Sequence, residues 1–209
     1  MPMNTANKLT LARVFMIPLF LVIAYWGFPG SRYVALGVYI LACLTDLLDE
    51  IPVDACRYFF NAKPETQMEF DLGLAVREDS ENPVYYVQYA HARISAVLRR
   101  AAERGVRLPG AVTAADLTPL DTPEDLALLR KAAGFEDMLT AAARNLGVHH
   151  VSHYLTELAG LLHSYYARHQ VLLPDDAPRS MARLALLRAV AQVLRNGLDV
   201  LGVSAPESM

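Results

Sequence analysis

Three side chains of one stretch are suited to binding nucleic acid: Tyr85, Tyr89 and Arg93 recur at four-residue intervals. Arg100 follows Arg93 by one heptad. In a helix, residues at this spacing lie along one edge. An aromatic ring beside a guanidinium can stack on an unpaired base while the cation contacts phosphate. The alternative interpretation is an ordinary core helix with solvated arginines along its edge.

The element that positions these side chains is predicted to be one long helix over residues 82–105. Pro83 suits a first turn, where its missing N–H removes no hydrogen bond, and Gly105 suits the end of a helix. An apolar stripe at helical spacing accompanies the polar edge, formed by Val87, Ala90, Ile94, Val97, Leu98 and Ala101. The helix therefore has one face for a core and one edge for chemistry.

The remainder of the chain predicts further helices. Residues 106–122 are rich in Pro, Gly and Thr and predict a loop, and Thr122 suits the N-cap of the helix that follows. The predicted helices beyond it occupy residues 123–133, 135–147, 149–173 and 178–201. Upstream, residues 53–61 predict a short helix that buries Phe59 and Phe60.

The charge distribution favours local patches rather than a globally basic protein, because the formal net charge is −3. Acidic residues concentrate in 46–81, whereas arginines concentrate in 93–107 and 179–195. A phosphate backbone would be bound along those two arginine tracts. From them we predict phosphate contacts by Arg100, Arg188 and Arg195.

Residues 82–93, with the sequence NPVYYVQYAHAR, resemble the helix that opens the anticodon-binding domain of arginyl-tRNA synthetases. Further segments that resemble this family are residues 53–60, 70–75 and 182–209. The resemblance covers residues 46–209 and implies an all-α, DALR-type anticodon-binding helical bundle over 82–209. Residues 46–81 form a transition that resembles the end of the catalytic domain. The implied partner is tRNA, with arginine tRNA expected first.

The same resemblance implies anticodon-side contacts from Tyr89, Arg93, Tyr166 and Met209. For Tyr166 the alternative is a packed ring with a solvated hydroxyl. The HIGH and KMSKS strings, with which the family binds ATP, do not occur in this sequence. We therefore expect tRNA binding without aminoacylation and without a cofactor. ATP and Mg²⁺ would be needed only if a separate catalytic subunit acted together with this chain.

Residues 7–45 contain two apolar runs joined by a turn rich in Gly and Pro. Lys8 and Arg13 stand at the front of the first run. This pattern predicts that residues 1–45 form an N-terminal apolar helical hairpin that spans the membrane, contacts lipid and leaves the following domain on the cytoplasmic side. The alternatives are a signal peptide, for which no cleavage site is clear, and a buried hairpin in a soluble domain.

The N-terminal segment, about residues 4–49, also resembles phosphatidylglycerophosphate synthases of the CDP-alcohol phosphatidyltransferase family. In that family signature Asp residues bind a divalent metal, and Asp46 and Asp49 match the first two of them. Glu50 stands where the signature has Gly, and the later signature residues are absent in register. The alternatives to tRNA binding are therefore a membrane phosphatidyltransferase-like fragment and an inert chimeric fusion.

One further cluster could bind a metal, because His149, His153 and Glu157 follow one another at four-residue intervals. The string HHVSH lacks the Glu of the HExxH zinc motif, so a solvated histidine cluster is the favoured interpretation. Cys43 and Cys56 form no motif and are expected to be reduced.

Overall fold

The computed structural model describes residues 18–25, 30–50, 52–62 and 71–209, apart from residues 107, 109 and 111. Over residues 42–50 it describes the backbone alone. The chain divides into two compact units, Met1–Val53 and Asp54–Met209. Every regular element within the described residues is helical, which agrees with the predicted all-α class.

The first unit contains helix α1, described over residues 18–25, and helix α2, Ser31–Glu50. No helix in the described part of the chain is long and apolar enough to cross a membrane. The predicted transmembrane hairpin over residues 7–45 is therefore not supported, and residues 7–17 and 26–29 of it lie outside the described residues. Membrane lipid as a partner loses its structural basis together with the hairpin.

The second unit is a helical bundle preceded by two short helices. Its helices are α3 (Val53–Ala62), α4 (Leu72–Ala75), α5 (Pro83–Glu103), α6 (Pro123–Ala133), α7 (Phe135–Arg144), α8 (His149–Arg168) and α9 (Ala177–Val200), with a 3₁₀ turn at Ala115–Leu117. Helices α5 and α6 both pack against α8 and α9. The core where they meet includes Leu155, Leu158, Leu187 and Leu194, each with no exposed surface.

Helix α5 begins and ends where its sequence predicts. The Asn82 side chain accepts a hydrogen bond from the Val84 N–H at 3.2 Å, and Pro83 occupies the first turn. At the other end Gly105 has a φ of +77°, a conformation that favours glycine, and closes the helix. Burial of Val87 and Ile94 confirms the predicted apolar stripe, which sets the outward direction of the opposite edge.

Two local predictions are wrong. Helix α8 ends at Arg168 rather than near residue 173, because His169 adopts extended backbone angles and the Arg183 side chain donates to the carbonyl of Gln170 in the following turn. In α3, Phe59 is half-buried as predicted in part, but Phe60 is 62% exposed, and Tyr58 is the fully buried aromatic. Tyr58 can be buried because its hydroxyl donates a hydrogen bond to the buried Ser152 carbonyl at 2.8 Å.

A buried polar cluster links three helices behind the core. The fully buried Asp125 closes a capping box with Thr122 at the start of α6. Its carboxylate accepts a hydrogen bond from the Tyr165 hydroxyl at 2.7 Å and lies 3.7 Å from the Arg183 guanidinium. Burial is the main cause that raises the pKa of Tyr165, so its phenol remains a proton donor. These contacts fix the register of α6, α8 and α9.

Candidate nucleic-acid interface

An open cleft of about 490 Å³ lies between α5, the end of α8 and the C-terminal tail, residues 201–209. Its lining comprises Tyr89, Ala92, Arg93, Ala96, Val97, Arg99, Arg100, Tyr166, Glu207, Ser208 and Met209. Five of the seven residues predicted from the sequence are in that list. Tyr166 and Met209 are far from α5 in sequence, so their presence is a property of the fold.

The floor of the cleft is a cation–π pair. The Arg93 guanidinium lies 4.5 Å from the centre of the Tyr166 ring. The Tyr166 hydroxyl is buried and has no hydrogen-bond partner among the residues that the structure describes. Burial raises the pKa of Tyr166, and Arg93 lowers it by a smaller amount, so the phenol is protonated at neutral pH. The hydroxyl is therefore a donor without an acceptor, in contrast to the solvated hydroxyl considered above.

Tyr89, which lines the cleft, belongs to a set of neighbouring aromatic rings. Tyr89 is 41% exposed, and its ring is near-parallel to that of Tyr85, with centroids 6.2 Å apart. The His163 ring of α8 lies 5.7 Å from Tyr89 at an angle of 22°. His163 could not be singled out from the sequence, because only the crossing of α5 and α8 brings its ring beside Tyr89. Burial is the main cause that lowers the pKa of His163, with a smaller contribution from Arg93.

Positive charge gathers at the C-terminal end of α5, which also lines the cleft. Arg99 and Arg100 are exposed on the last turns of α5, and Arg93 is half-buried beneath them. Arg99 donates through Nη2 to the backbone carbonyl of Glu207 at 3.1 Å, which joins this end of α5 to the tail. Among the described lining residues only Glu207 carries an acidic side chain. The cleft thus combines exposed aromatic surface with cations, the equipment required for an unstacked, phosphate-bearing strand.

The tail reaches the cleft because hydrogen bonds hold it along α5. The His91 ring, 5% exposed, pairs through Nδ1 with the carbonyl of Pro206 at 2.8 Å. Gln88 donates through Nε2 to the carbonyl of Ser204 at 3.0 Å. Met209 follows these anchored residues and is 55% exposed at the mouth of the cleft. A histidine buried within an apolar stripe needs a hydrogen-bond partner. The position of His91 in the stripe of α5 was therefore the signal in the sequence that could have revealed a contact of this kind.

Comparison with known proteins shows the family to which the bundle belongs. The family model described as DALR anticodon binding domain matches residues 87–209. The chain belongs to the DALR anticodon-binding domain family. A second model, CDP-alcohol phosphatidyltransferase, matches only the short segment 3–49.

The DALR chain is similar in sequence and structure to parts of larger arginyl-tRNA synthetases. An arginine–tRNA ligase of Desulfovibrio desulfuricans is 71% identical over 184 residues, which is 88% of this chain and 33% of that protein. The arginine–tRNA ligase of Nitratidesulfovibrio vulgaris strain Miyazaki F is 54% identical over 167 residues, 79% of this chain and 30% of the relative. The solved Thermus thermophilus arginyl-tRNA synthetase aligns with a TM-score of 0.63 and 25% identity, covering 99% of this chain and 32% of that one. The chain therefore spans about a third of the length of these relatives.

Two predicted arginines lie on the DALR bundle but do not line the cleft. Arg195 is exposed on α9, and Arg188 is half-buried on the same helix. Both belong to a helix that also contributes the central leucines of the core. If they contact phosphate, they do so on a separate part of the surface.

The predicted metal candidates remain without support. Among the described residues no group of three His, Cys, Asp or Glu side chains could hold a metal ion. Glu157 instead forms an ion pair with Lys131, and the rings of His149 and His153 meet edge to face with centroids 6.3 Å apart. The side chains of Asp46 and Asp49 lie outside the described residues, although the backbone there belongs to α2.

Proposed function

We propose that the DALR bundle binds the anticodon stem and loop of tRNA through the cleft, with arginine tRNA as its preferred partner. The observation that carries this proposal is the convergence of Tyr89, Arg93, Tyr166 and Met209 around one opening. Membership of the DALR family supports an anticodon ligand, and the names of the relatives support arginine tRNA. We infer no activation of arginine by these residues, because neither HIGH nor KMSKS occurs among them.

Each side chain has a distinct task in this proposal. The exposed ring of Tyr89 provides a surface on which an unpaired base stacks. Tyr166 supplies the unpartnered hydroxyl, which donates to an acceptor on a base or ribose. Arg93 holds the Tyr166 ring and adds positive charge at the floor. Met209 packs its flexible, polarizable side chain against a base at the mouth of the cleft.

Equilibrium binding of fluorescent stem-loops tests the proposal. The full chain is titrated with a stem-loop carrying an arginine anticodon and with the same stem-loop carrying a scrambled anticodon, over a series of salt concentrations. Tyr89→Ala should weaken binding roughly ten- to a hundredfold, because one stacked base contributes about 1–3 kcal/mol. It should also reduce the preference for the arginine anticodon. Tyr166→Phe keeps the ring and should lose only the part contributed by the hydroxyl.

Substitution of the exposed arginines should produce a different result. Arg100→Ala should weaken both stem-loops alike and reduce the salt slope by about 1, because a phosphate contact carries no sequence information. Arg188→Ala and Arg195→Ala test the two predicted contacts outside the cleft in the same way. Arg144→Ala, an exposed arginine on α7 that does not line the cleft, is the matched control. Equal and negligible affinity of the wild-type chain for every stem-loop would refute the proposal and favour an inert fusion.

A further inference from the structure

The carboxylate of Asp54, at the start of α3, makes three contacts with the structures beside the cleft. Its Oδ2 accepts from Gln88 Nε2 at 2.9 Å and from the Ser204 backbone N–H at 3.1 Å. The same oxygen also accepts from the Ser204 hydroxyl. Asp54 therefore joins α5 to the C-terminal tail at a single atom, although 150 residues separate it from Ser204.

Two further side chains of α3 extend this attachment. Arg57 donates through Nη1 to the carbonyl of Gly202, and Asn61 donates through Nδ2 to the carbonyl of Leu201 at 3.3 Å. Gly202 has a φ of +68°, so the chain turns there as it leaves α9. Three residues of α3, one on each of three successive turns, thus hold the tail from its first residue to Ser204. Beyond Ser204, the hydrogen bonds to the tail within the described part of the chain come from α5, through His91 and Arg99.

We propose that Asp54 is a positioning residue for tRNA recognition, which acts by seating the C-terminal tail so that Met209 lines the cleft. This inference rests on the proposed function. Asp54 does not line the cleft, so in this proposal it acts on the ligand only through the tail. Asp54 affects affinity through the fraction of molecules in which the tail is seated. A ligand that needs the seated tail binds more weakly as that fraction falls.

The test is a double-mutant cycle in the full chain, with the arginine-anticodon stem-loop as the probe. Asp54→Ala should weaken binding roughly three- to tenfold, because it removes the acceptor for three hydrogen bonds while His91 and Arg99 still hold the distal tail. In a Met209→Ala background the same substitution should have almost no further effect, because Met209 is the group it positions. Asp54→Asn, which keeps an acceptor oxygen, should recover most of the affinity.

Three controls make the result decisive. Urea denaturation of each variant establishes that the bundle is folded at the assay temperature, and Ser204→Ala takes the place of Asp54→Ala in the cycle if Asp54→Ala unfolds. Ser204→Ala removes one partner of the same carboxylate and should reproduce part of the loss. Equal losses from Asp54→Ala in both backgrounds, or no loss in either, would overturn the inference while wild-type binding leaves the proposed function intact. Failure of the wild-type chain to bind any stem-loop refutes the proposed function instead.

Discussion

Two glycines at helix contacts should respond in opposite ways to the same substitution. A Cβ at Gly197 of α9 would lie 2.5 Å from Leu155 Cδ2 and 3.1 Å from Leu155 Cγ on α8. Rotation of the Leu155 side chain about its Cβ–Cγ bond moves the methyl groups but leaves Cγ in place. The helices, or χ1 of Leu155, must therefore shift. At Gly160 of α8 the nearest atom, the Tyr86 hydroxyl oxygen, lies at 3.7 Å, an ordinary contact distance.

The net magnitude follows from two opposing effects. Replacing a helical Gly by Ala gains about 1 kcal/mol of helix propensity at either position. Overpacking of a close-fitted core destabilises the protein by about 1–3 kcal/mol, and of the two variants only Gly197→Ala causes it. Gly160→Ala should therefore raise the free energy of unfolding by up to about 1 kcal/mol, and Gly197→Ala should lower it by up to about 2 kcal/mol.

Urea denaturation followed by circular dichroism measures both variants against the wild type, with the m-value checking that the unfolding transition is unchanged in kind. A third variant tests the cause: Leu155→Ala should cost less in the Gly197→Ala background than in the wild type, because it relieves the clash. Equal stability of Gly160→Ala and Gly197→Ala would refute the argument that α8 and α9 approach too closely for a Cβ.

Three further predictions concern the bundle. Asp125→Ala should lower the free energy of unfolding by about 3–5 kcal/mol in urea, because it leaves the buried Arg183 without its carboxylate. Stability should fall as the pH drops below the ordinary histidine value of 6.5, because burial lowers the pKa of His163 and the unfolded chain binds the extra proton. His163→Asn should remove that part of the pH dependence from thermal unfolding curves. An unchanged pH dependence in this variant would contradict the assignment to His163. Leu146 is 90% exposed and has a φ of +52°. Leu146→Gly should therefore raise the free energy of unfolding in chemical denaturation by up to about 1 kcal/mol, and a decrease would count against a strained turn.

Helix limits were predictable from the sequence where they depend on neighbouring residues. Pro83 and Gly105 mark the ends of α5, and Thr122 caps α6, because each acts through backbone groups only a few residues away. Local signals failed at the end of α8, where the decisive contact comes from Arg183 on another helix. The predicted membrane hairpin depended on hydropathy, and no helix within the described residues is long and apolar enough to cross a membrane.

The candidate site divides in the same way. The periodicity of α5 by itself placed Tyr89, Arg93 and Arg100 on one edge, because helical spacing is a local property. The positions of Tyr166 and Met209 were expected from a family resemblance, but only the packing of α8 on α5 and the attachment of the tail bring them to that edge. Neither His163 nor Asp54 could be singled out beforehand, since their roles depend on hydrogen bonds and ring contacts between residues that are distant in the chain. Local hydrogen bonding thus determined the helices, and long-range packing decided which of their side chains share a cleft.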